Sequence, residues 1–551
     1  MRITRILLCV ALGALVALPV LAQGNPTSRV SGTVVSADGQ ALPGTTVTFE
    51  SPNLQGTRVV VTDGNGNFAS PPLPPGEYEI TFQLEGFGTQ TRRVRLSAAQ
   101  TVNVSVTMEL AAVAEEIVVS GEAVEVISEG TTSAQTVTRE ELESLPINRN
   151  LGSAVALSAG VFTTGPGGNI VINGAQSWEN LFLLNGVTLN ENIRGQPFDL
   201  FIEDAIQETT TATSGVSAEF GRFTGGVVNA ITKSGGNQFS GSFRTSFDND
   251  DWTAEEPNFN GQKVNEVNET FEVTFGGPIL RDRIWFFLAG RDRETETTAN
   301  TTILNIPYVT PTEQERLEGK LTFSLTQSHQ LQGSYLEIDT VQSNNAHGGL
   351  GGFAIVIDDG TLANRALPQN LLAANYTGII TPSFFVEAQY SEREFTFEGS
   401  GGLDQSLNGG TGIWDLVNGV IYNESLFCGS CRDEERDNEN ILAKGSYFLS
   451  AGDAGSHDII FGYDSFEDIR AADNHQSPND LMIWNFTSSI IDEANNQVFP
   501  VFRPGPTFIE YLPILNETQG TSFVTNSIFV NDRWRLNDQW SFNVGLRYDM
   551  N

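Results

Sequence analysis

The most regular hydrophobic pattern lies at the end of the sequence. Trp540, Phe542, Val544, Leu546 and Tyr548 alternate with Ser541, Asn543, Gly545, Arg547 and Asp549. A period of two, with one apolar and aromatic face and one polar or small face, suits a strand between lipid and an aqueous interior. Ile528, Val530, Trp534 and Leu536 mark a partner strand joined through Asn537-Asp538. Phe384, Val386, Ala388 and Tyr390 alternate against Phe385, Glu387, Gln389 and Ser391, and Ala443, Gly445, Tyr447 and Leu449 repeat the pattern. Runs of this kind predict strands near 239–247, 269–277, 283–293, 318–327, 330–341, 371–379, 383–397, 438–449, 457–467, 521–536 and 539–550. The connections at 279–282, 328–329, 380–382, 450–456 and 537–538 are short, and those at 248–268, 294–317, 342–370, 398–437 and 468–520 are long. Membrane barrels sort their loops this way, with short periplasmic turns and long extracellular loops, and a soluble sandwich has no reason to. Residues 241–551 therefore read as a transmembrane antiparallel β-barrel.

Two other regions precede it. Within 23–111, short alternating runs such as Gly76-Glu77-Tyr78-Glu79-Ile80-Thr81-Phe82 are separated by turn residues such as Asp63-Gly64-Asn65-Gly66-Asn67. Seven or so strands at this spacing predict a β-sandwich. Residues 112–240 mix elements: Thr138-Arg139-Glu140-Glu141 is a capping box that opens a short helix, Leu151 to Leu157 suggests a second, and Leu181 to Val187 reads as a buried strand running into a turn. Ahead of these, Arg2 and Arg5 precede an apolar run from Ile6 to Leu18 that closes on Ala22. The run is too short for an ordinary spanning helix, so 1–22 is expected to be a signal peptide, with the mature chain starting at Gln23.

Composition narrows the function. The chain carries 30 Lys and Arg against 67 Asp and Glu, a net charge of −37, which excludes a nucleic-acid partner of the usual phosphate-neutralising kind. Hydrophobic residues at 39% exclude disorder. No nucleophile–base, phosphate-cradling or zinc-protease motif occurs, and the four His are scattered. The chain is therefore read as non-enzymatic, with no cofactor and no metal site. Asp63 with Asn65 offers too few carboxylates for a Ca²⁺ cage and reads as a turn. Cys428 and Cys431 form a CxxC pair without a thioredoxin-like setting or a second ligand pair for zinc. Their compartment favours a disulfide in an extracellular loop.

Stretches in each of the three regions resemble known families. Val30, Gly32, Val47, Thr62, Asp63, Gly66, Phe68, Pro75, Gly76 and Tyr78 match the carboxypeptidase-regulatory-like domain, a relative of carbohydrate-binding-like sandwiches. The run from Ser217 to Asn237, with Ala218-Glu219-Phe220-Gly221-Arg222 and Gly225-Gly226-Val227-Val228-Asn229, resembles the end of the plug of TonB-dependent outer-membrane receptors. The segments Asn237 to Ser242 and Phe275 to Phe287 resemble the barrel of their Oar-like subclass. The resemblance implies a mainly β chain: a periplasmic sandwich, an α+β plug over 112–240, and a barrel of the 22-stranded receptor type in the outer membrane. It implies energised uptake of a siderophore, oligosaccharide or peptide ligand, with TonB of the inner membrane as partner. The rival reading is a barrel-anchored adhesin that binds carbohydrate without transport.

The resemblance also assigns residues. Glu115, Glu116, Ile117, Val118, Val119, Ser120 and Gly121 precede the plug where the family couples to TonB, and their composition suits strand addition to a partner's sheet edge. Glu219 and Arg222 are expected to pair in the polar lumen and lock plug to wall. Eleven strands is an odd number, and the final residues lack the terminal aromatic usual in the family. The sequence is accordingly expected to be the N-terminal portion of a longer chain.

Overall fold

The computed structural model describes residues 27–551 apart from 99, 112–131, 146–149, 166–168, 191–201, 253–264, 301–304, 346–361, 399–405, 409, 418–419, 423–432, 472–476, 478, 493, 495–496, 514–519 and 538. The expected signal peptide, coupling segment Glu115–Gly121 and pair Cys428–Cys431 lie outside the described residues.

The predicted strand alternation becomes a wall of eleven antiparallel strands, among the described residues, in strict sequence order. They are β1 (Ser240–Asp248), β2 (Asn268–Leu280), β3 (Ile284–Asn300), β4 (Pro307–Thr326), β5 (His329–Asn345), β6 (Gln369–Thr381), β7 (Phe384–Phe397), β8 (Glu434–Ser450), β9 (Ser456–Ala471), β10 (Thr521–Arg535) and β11 (Ser541–Met550). A short strand, Ala363–Ala366, also pairs with β5. One expected long loop is corrected. Most of 294–317 is strand, because β3 and β4 stay paired from Ile284↔Phe323 out to Asn300↔Pro307. Its residues alternate Thr with Glu and other polar types, so the hydrophobic pattern fades while the ladder continues. The long connections between β7 and β8 and between β9 and β10 fold together into a small sheet of Gly412–Asp415, Val420–Tyr422, Leu481–Asn485 and Thr507–Tyr511.

Side-chain parity holds through the wall. Leu288, Leu317, Tyr335, Leu372, Phe461, Ile528 and Leu546 are exposed on the outer face. Near the short turns that face carries aromatic clusters, among them Phe239–Phe275–Phe286 with centroids 5.5–6.5 Å apart. Trp534–Phe542–Trp540, at 5.2 and 6.2 Å, is another. Amphipathic rings at one level of a barrel mark a membrane–water interface. The inner face departs from the expectation of a polar, aqueous lumen. Trp285, Phe287, Leu336, Ile338, Leu371 and Phe385 point inward and are buried. Leu336, Ile338, Leu371 and Ala373 join one core with the plug residues Leu151, Val155, Ile172, Phe182, Leu184 and Val228. A lumen filled by a folded domain is partly protein interior, so its wall can carry apolar side chains.

The plug is a five-stranded sheet in the order Val187–Thr188, Leu181–Leu184, Val227–Thr232, Ile206–Ser214 and Ser133–Thr138. The Thr138–Glu141 capping box opens the helix Arg139–Ser144, and Asn150 caps Leu151–Val155. Leu181–Leu184 is buried throughout, as a central strand flanked on both sides must be. The sandwich packs a sheet of Thr46–Glu50, Arg58–Val61, Gly76–Gln83 and Gln90–Leu96 on one built around Arg29–Ser36. Phe49, Phe68 and Phe82 meet in its core at 6.4 and 5.6 Å. The motif glycine Gly32 is required by close approach, since a Cβ there would stand 1.9 Å from the Val104 carbonyl oxygen. Asp63 Oδ1 accepts the Asn65 and Asn67 amides at 2.8 and 2.9 Å, closing the turn.

Parity gives a direct test. Leu288 faces outward between inward Phe287 and Ala289. Leu288→Arg should cost about 2–4 kcal/mol near the bilayer midplane. Urea titration of the membrane-inserted protein should show that loss, and an unchanged midpoint would mean Leu288 does not meet lipid.

Candidate functional site

The seat of the plug in the wall is where the sequence places function. The connection between plug strands Ile206–Ser214 and Val227–Thr232 carries Glu219 and Arg222 to β8, β9 and β11. Glu219 Oε2 lies 3.1 Å from Lys444 Nζ on β8, and the same ammonium lies 3.4 Å from Glu387 Oε2 on β7. Arg222 Nη1 lies 3.2 Å from Asp464 Oδ2 on β9, which also accepts Arg547 Nη2 of β11 at 2.7 Å. The Arg222 guanidinium stands 3.8 Å from the Phe466 ring centroid, a cation–π contact from plug to wall. The expected pairing of Glu219 with Arg222 is thus corrected: each finds its opposite charge on the wall. Arg222 takes a left-handed backbone, φ 61°, next to Gly221. A Cβ on Gly221 would stand 2.4 Å from Arg547 Nε, so glycine lets Arg547 reach the Glu219 carbonyl at 2.9 Å.

Two further seats tie plug to wall, the first by hydrogen bonds and the second by ion pairs. Thr232 Oγ1 donates to Glu318 Oε1 on β4 at 2.6 Å, and Lys320 Nζ donates to the Thr232 and Lys233 carbonyls at 3.0 and 3.2 Å. Arg291 of β3 bonds Glu203, which also faces Arg316 of β4 at 3.6 Å, while Arg244 of β1 lies 3.0 Å from Asp204. Wall cations therefore meet plug carboxylates in several places. Lys444, Glu387, Asp464, Arg547 and Arg291 were missed in the sequence as partners. Parity could have found them: each is a charge at an inward position of an otherwise regular strand, such as Lys444 between outward Ala443 and Gly445.

One carboxylate lies between plug and sandwich. Glu208 is buried and accepts the Ala98 amide at 3.0 Å. Burial pushes its carboxyl up to about 7, opposed by the Ala98 amide and by Arg95.

A strand wall around a folded plug, seated by buried ion pairs, defines a plugged outer-membrane receptor. Residues 126–228 match the TonB-dependent receptor plug domain, and 231–316 with 307–551 match the outer membrane beta barrel domain. Residues 29–109 match the carboxypeptidase regulatory-like domain. The chain belongs to the TonB-dependent receptors of the Gram-negative outer membrane. It is 25% identical to the TonB-dependent transporter Oar of Myxococcus xanthus over 616 residues, covering 95% of this chain and 57% of that one. A TonB-dependent receptor of Formosa agariphila is 28% identical over 38% of this chain and 20% of its own length. The chain thus spans little more than half of the first relative and a fifth of the second. The same fold occurs in the siderophore receptor PirA of Acinetobacter baumannii, at TM-score 0.53 and 16% identity over 76% of this chain and 56% of that one. It occurs also in the ferric enterobactin receptor PfeA of Pseudomonas aeruginosa, at TM-score 0.53 and 15% identity over 76% of this chain and 57% of that one.

The raised Glu208 value sets a sign. A buried carboxyl that titrates higher in the docked state than when free stabilises docking fully below its ordinary value near 4.5, and that contribution is lost as pH rises through about 7. Hydrogen-exchange protection of the Ala98 amide, corrected for intrinsic rate, should fall between about pH 4.5 and 7, with a limiting slope of ~1.4 kcal/mol per unit. Glu208→Gln should flatten the profile, and a flat wild-type profile would contradict the burial.

Proposed function

We propose that the protein is an energised outer-membrane transporter. Ligand binds the long extracellular loops and the plug apex. TonB then engages Glu115–Gly121 by strand addition and draws the plug aside. The observation that carries this reading is the seated plug: it shares a core with β5 and β6 and is pinned to β8 and β9 by buried ion pairs. Passage requires work on the plug, and the plug begins directly after the proposed coupling segment. The ligand is a siderophore, oligosaccharide or peptide. Siderophores belong in this set because one protein that shares the fold is named a siderophore receptor and another a ferric enterobactin receptor.

Val118→Pro removes an amide donor from the proposed added strand. In the outer membrane of its own host, the variant should bind a labelled ferric siderophore, oligosaccharide or peptide as wild type does. Its proton-motive-force-dependent uptake should fall to background. Undiminished uptake would overturn the assignment of 115–121, and wild-type uptake insensitive to an uncoupler would favour an adhesin or a passive pore.

A further inference from the structure

The geometry points to the N-terminal sandwich as a second stopper, docked over the short-turn mouth of the barrel and released before the plug. Its contacts follow that mouth from β5 to β10. Gln330 on β5 donates to Gln55 at 3.1 Å, and Thr27 Oγ1 donates to Glu387 on β7 at 2.8 Å. Asn65 and Asn67 donate to Ser450 at the end of β8 at 3.1 and 2.8 Å. Arg29 Nη1 pairs with Asp458 on β9 at 2.8 Å, both side chains about nine-tenths buried, and Arg533 on β10 bonds Thr101. Each of these wall residues lies within a few positions of a short turn. The sandwich also touches the plug, through Gln55 to the Gly235 carbonyl at 3.1 Å and Gln207 to the Pro75 carbonyl at 2.9 Å.

These contacts share one charge cluster with the plug. Glu387 accepts from Thr27 of the sandwich and faces Lys444, which holds Glu219 of the plug. Yet the two bodies are held differently. The plug shares an apolar core with the wall, whereas the sandwich core, from Val30 to Met108, includes no wall residue among the described residues. Polar contacts of the sandwich contribute roughly 0.5–1.5 kcal/mol each, and on undocking both Arg29 and Asp458 regain water. A cavity of about 410 Å³ remains where sandwich, plug and wall meet, lined by Gln100, Thr136, Asn229, Asp458 and Arg533. The sandwich keeps its own core and can therefore separate as a folded body.

Chain order makes this separation part of transport. Residues 112–131 join Ala111, whose amide bonds the Gly86 carbonyl at 3.0 Å, to Thr132, whose hydroxyl bonds the Gly215 carbonyl at 2.8 Å. The inference rests on the reading that force enters at 115–121. A pull there loads sandwich and plug together, and the polar-bound sandwich yields first. Until it leaves, a displaced plug opens only onto a capped mouth.

The test is ligand-free. In the receptor purified from outer membranes and reconstituted in a bilayer, Asn67→Cys with Ser450→Cys should form a disulfide on mild oxidation. Single-molecule pulling on a biotinyl handle at position 118 should show, in the reduced protein, a low-force rupture without unfolding length, followed by stepwise unfolding. Oxidation should abolish the first rupture and reductant should restore it. Arg29→Met, which leaves the engineered pair intact, should lower its force. Identical traces in oxidised and reduced protein, or failure of the disulfide to form, would overturn the inference. Capture of the TonB C-terminal domain by wild type but not by Val118→Pro tests the coupling reading separately, since the handle supplies force whether or not TonB binds there.

Discussion

Lys444 is the constraint on which the arrangement depends. An ammonium on a barrel strand, closed off from bulk water, must have opposite charge within reach, because an unpaired buried charge costs several kcal/mol. It has two partners, Glu387 on the neighbouring strand and Glu219 on the plug. The wall alone supplies one carboxylate, and the plug completes the set. Asp464 is the mirror case, a wall carboxylate satisfied by Arg547 of the wall and Arg222 of the plug. The lumen is thus electrostatically incomplete without its plug. Each seat combines geometric specificity with modest net stability, because desolvation offsets much of the Coulomb attraction. That balance suits a stopper that must stay in place and still come out under load.

The apolar part of the seat does the complementary task. Leu336, Ile338, Leu371 and Ala373 extend the plug core into β5 and β6, between the charges on β1, β3 and β4 and those on β7 to β11. The middle of the wall holds by hydrophobic burial and its two flanks by ion pairs. This division also explains why a single rule for the inner face, polar throughout, was too simple.

Much of this was legible in the sequence because lipid enforces a strict period of two. Phe384, Val386, Ala388 and Tyr390 on the outer face, and the alternation from Trp540 to Asp549, located strands to within a few residues. Beyond the membrane that constraint ends, and so the Thr- and Glu-rich extension of β3 and β4 read as loop. The capping box at Thr138 was legible because it is local. Which plug residue meets which wall charge was not, since Glu219 and Lys444 are brought together only by tertiary placement. Chain order made the sandwich a separate domain, but the register that seats Arg29 against Asp458 left no local signature.

The central claim is that plug and wall form one buried charge set around Lys444, and a mutant cycle in urea tests it most directly. Lys444→Met alone strands two carboxylates and should destabilise the seated plug by about 3–5 kcal/mol. Protease cleavage of the plug in bilayer-embedded protein, read against urea, reports that loss while the barrel stays folded. Adding Glu219→Gln and Glu387→Gln to Lys444→Met should recover most of it, because no uncompensated charge remains. Additive losses across the triple variant, or no loss from Lys444→Met, would contradict the account.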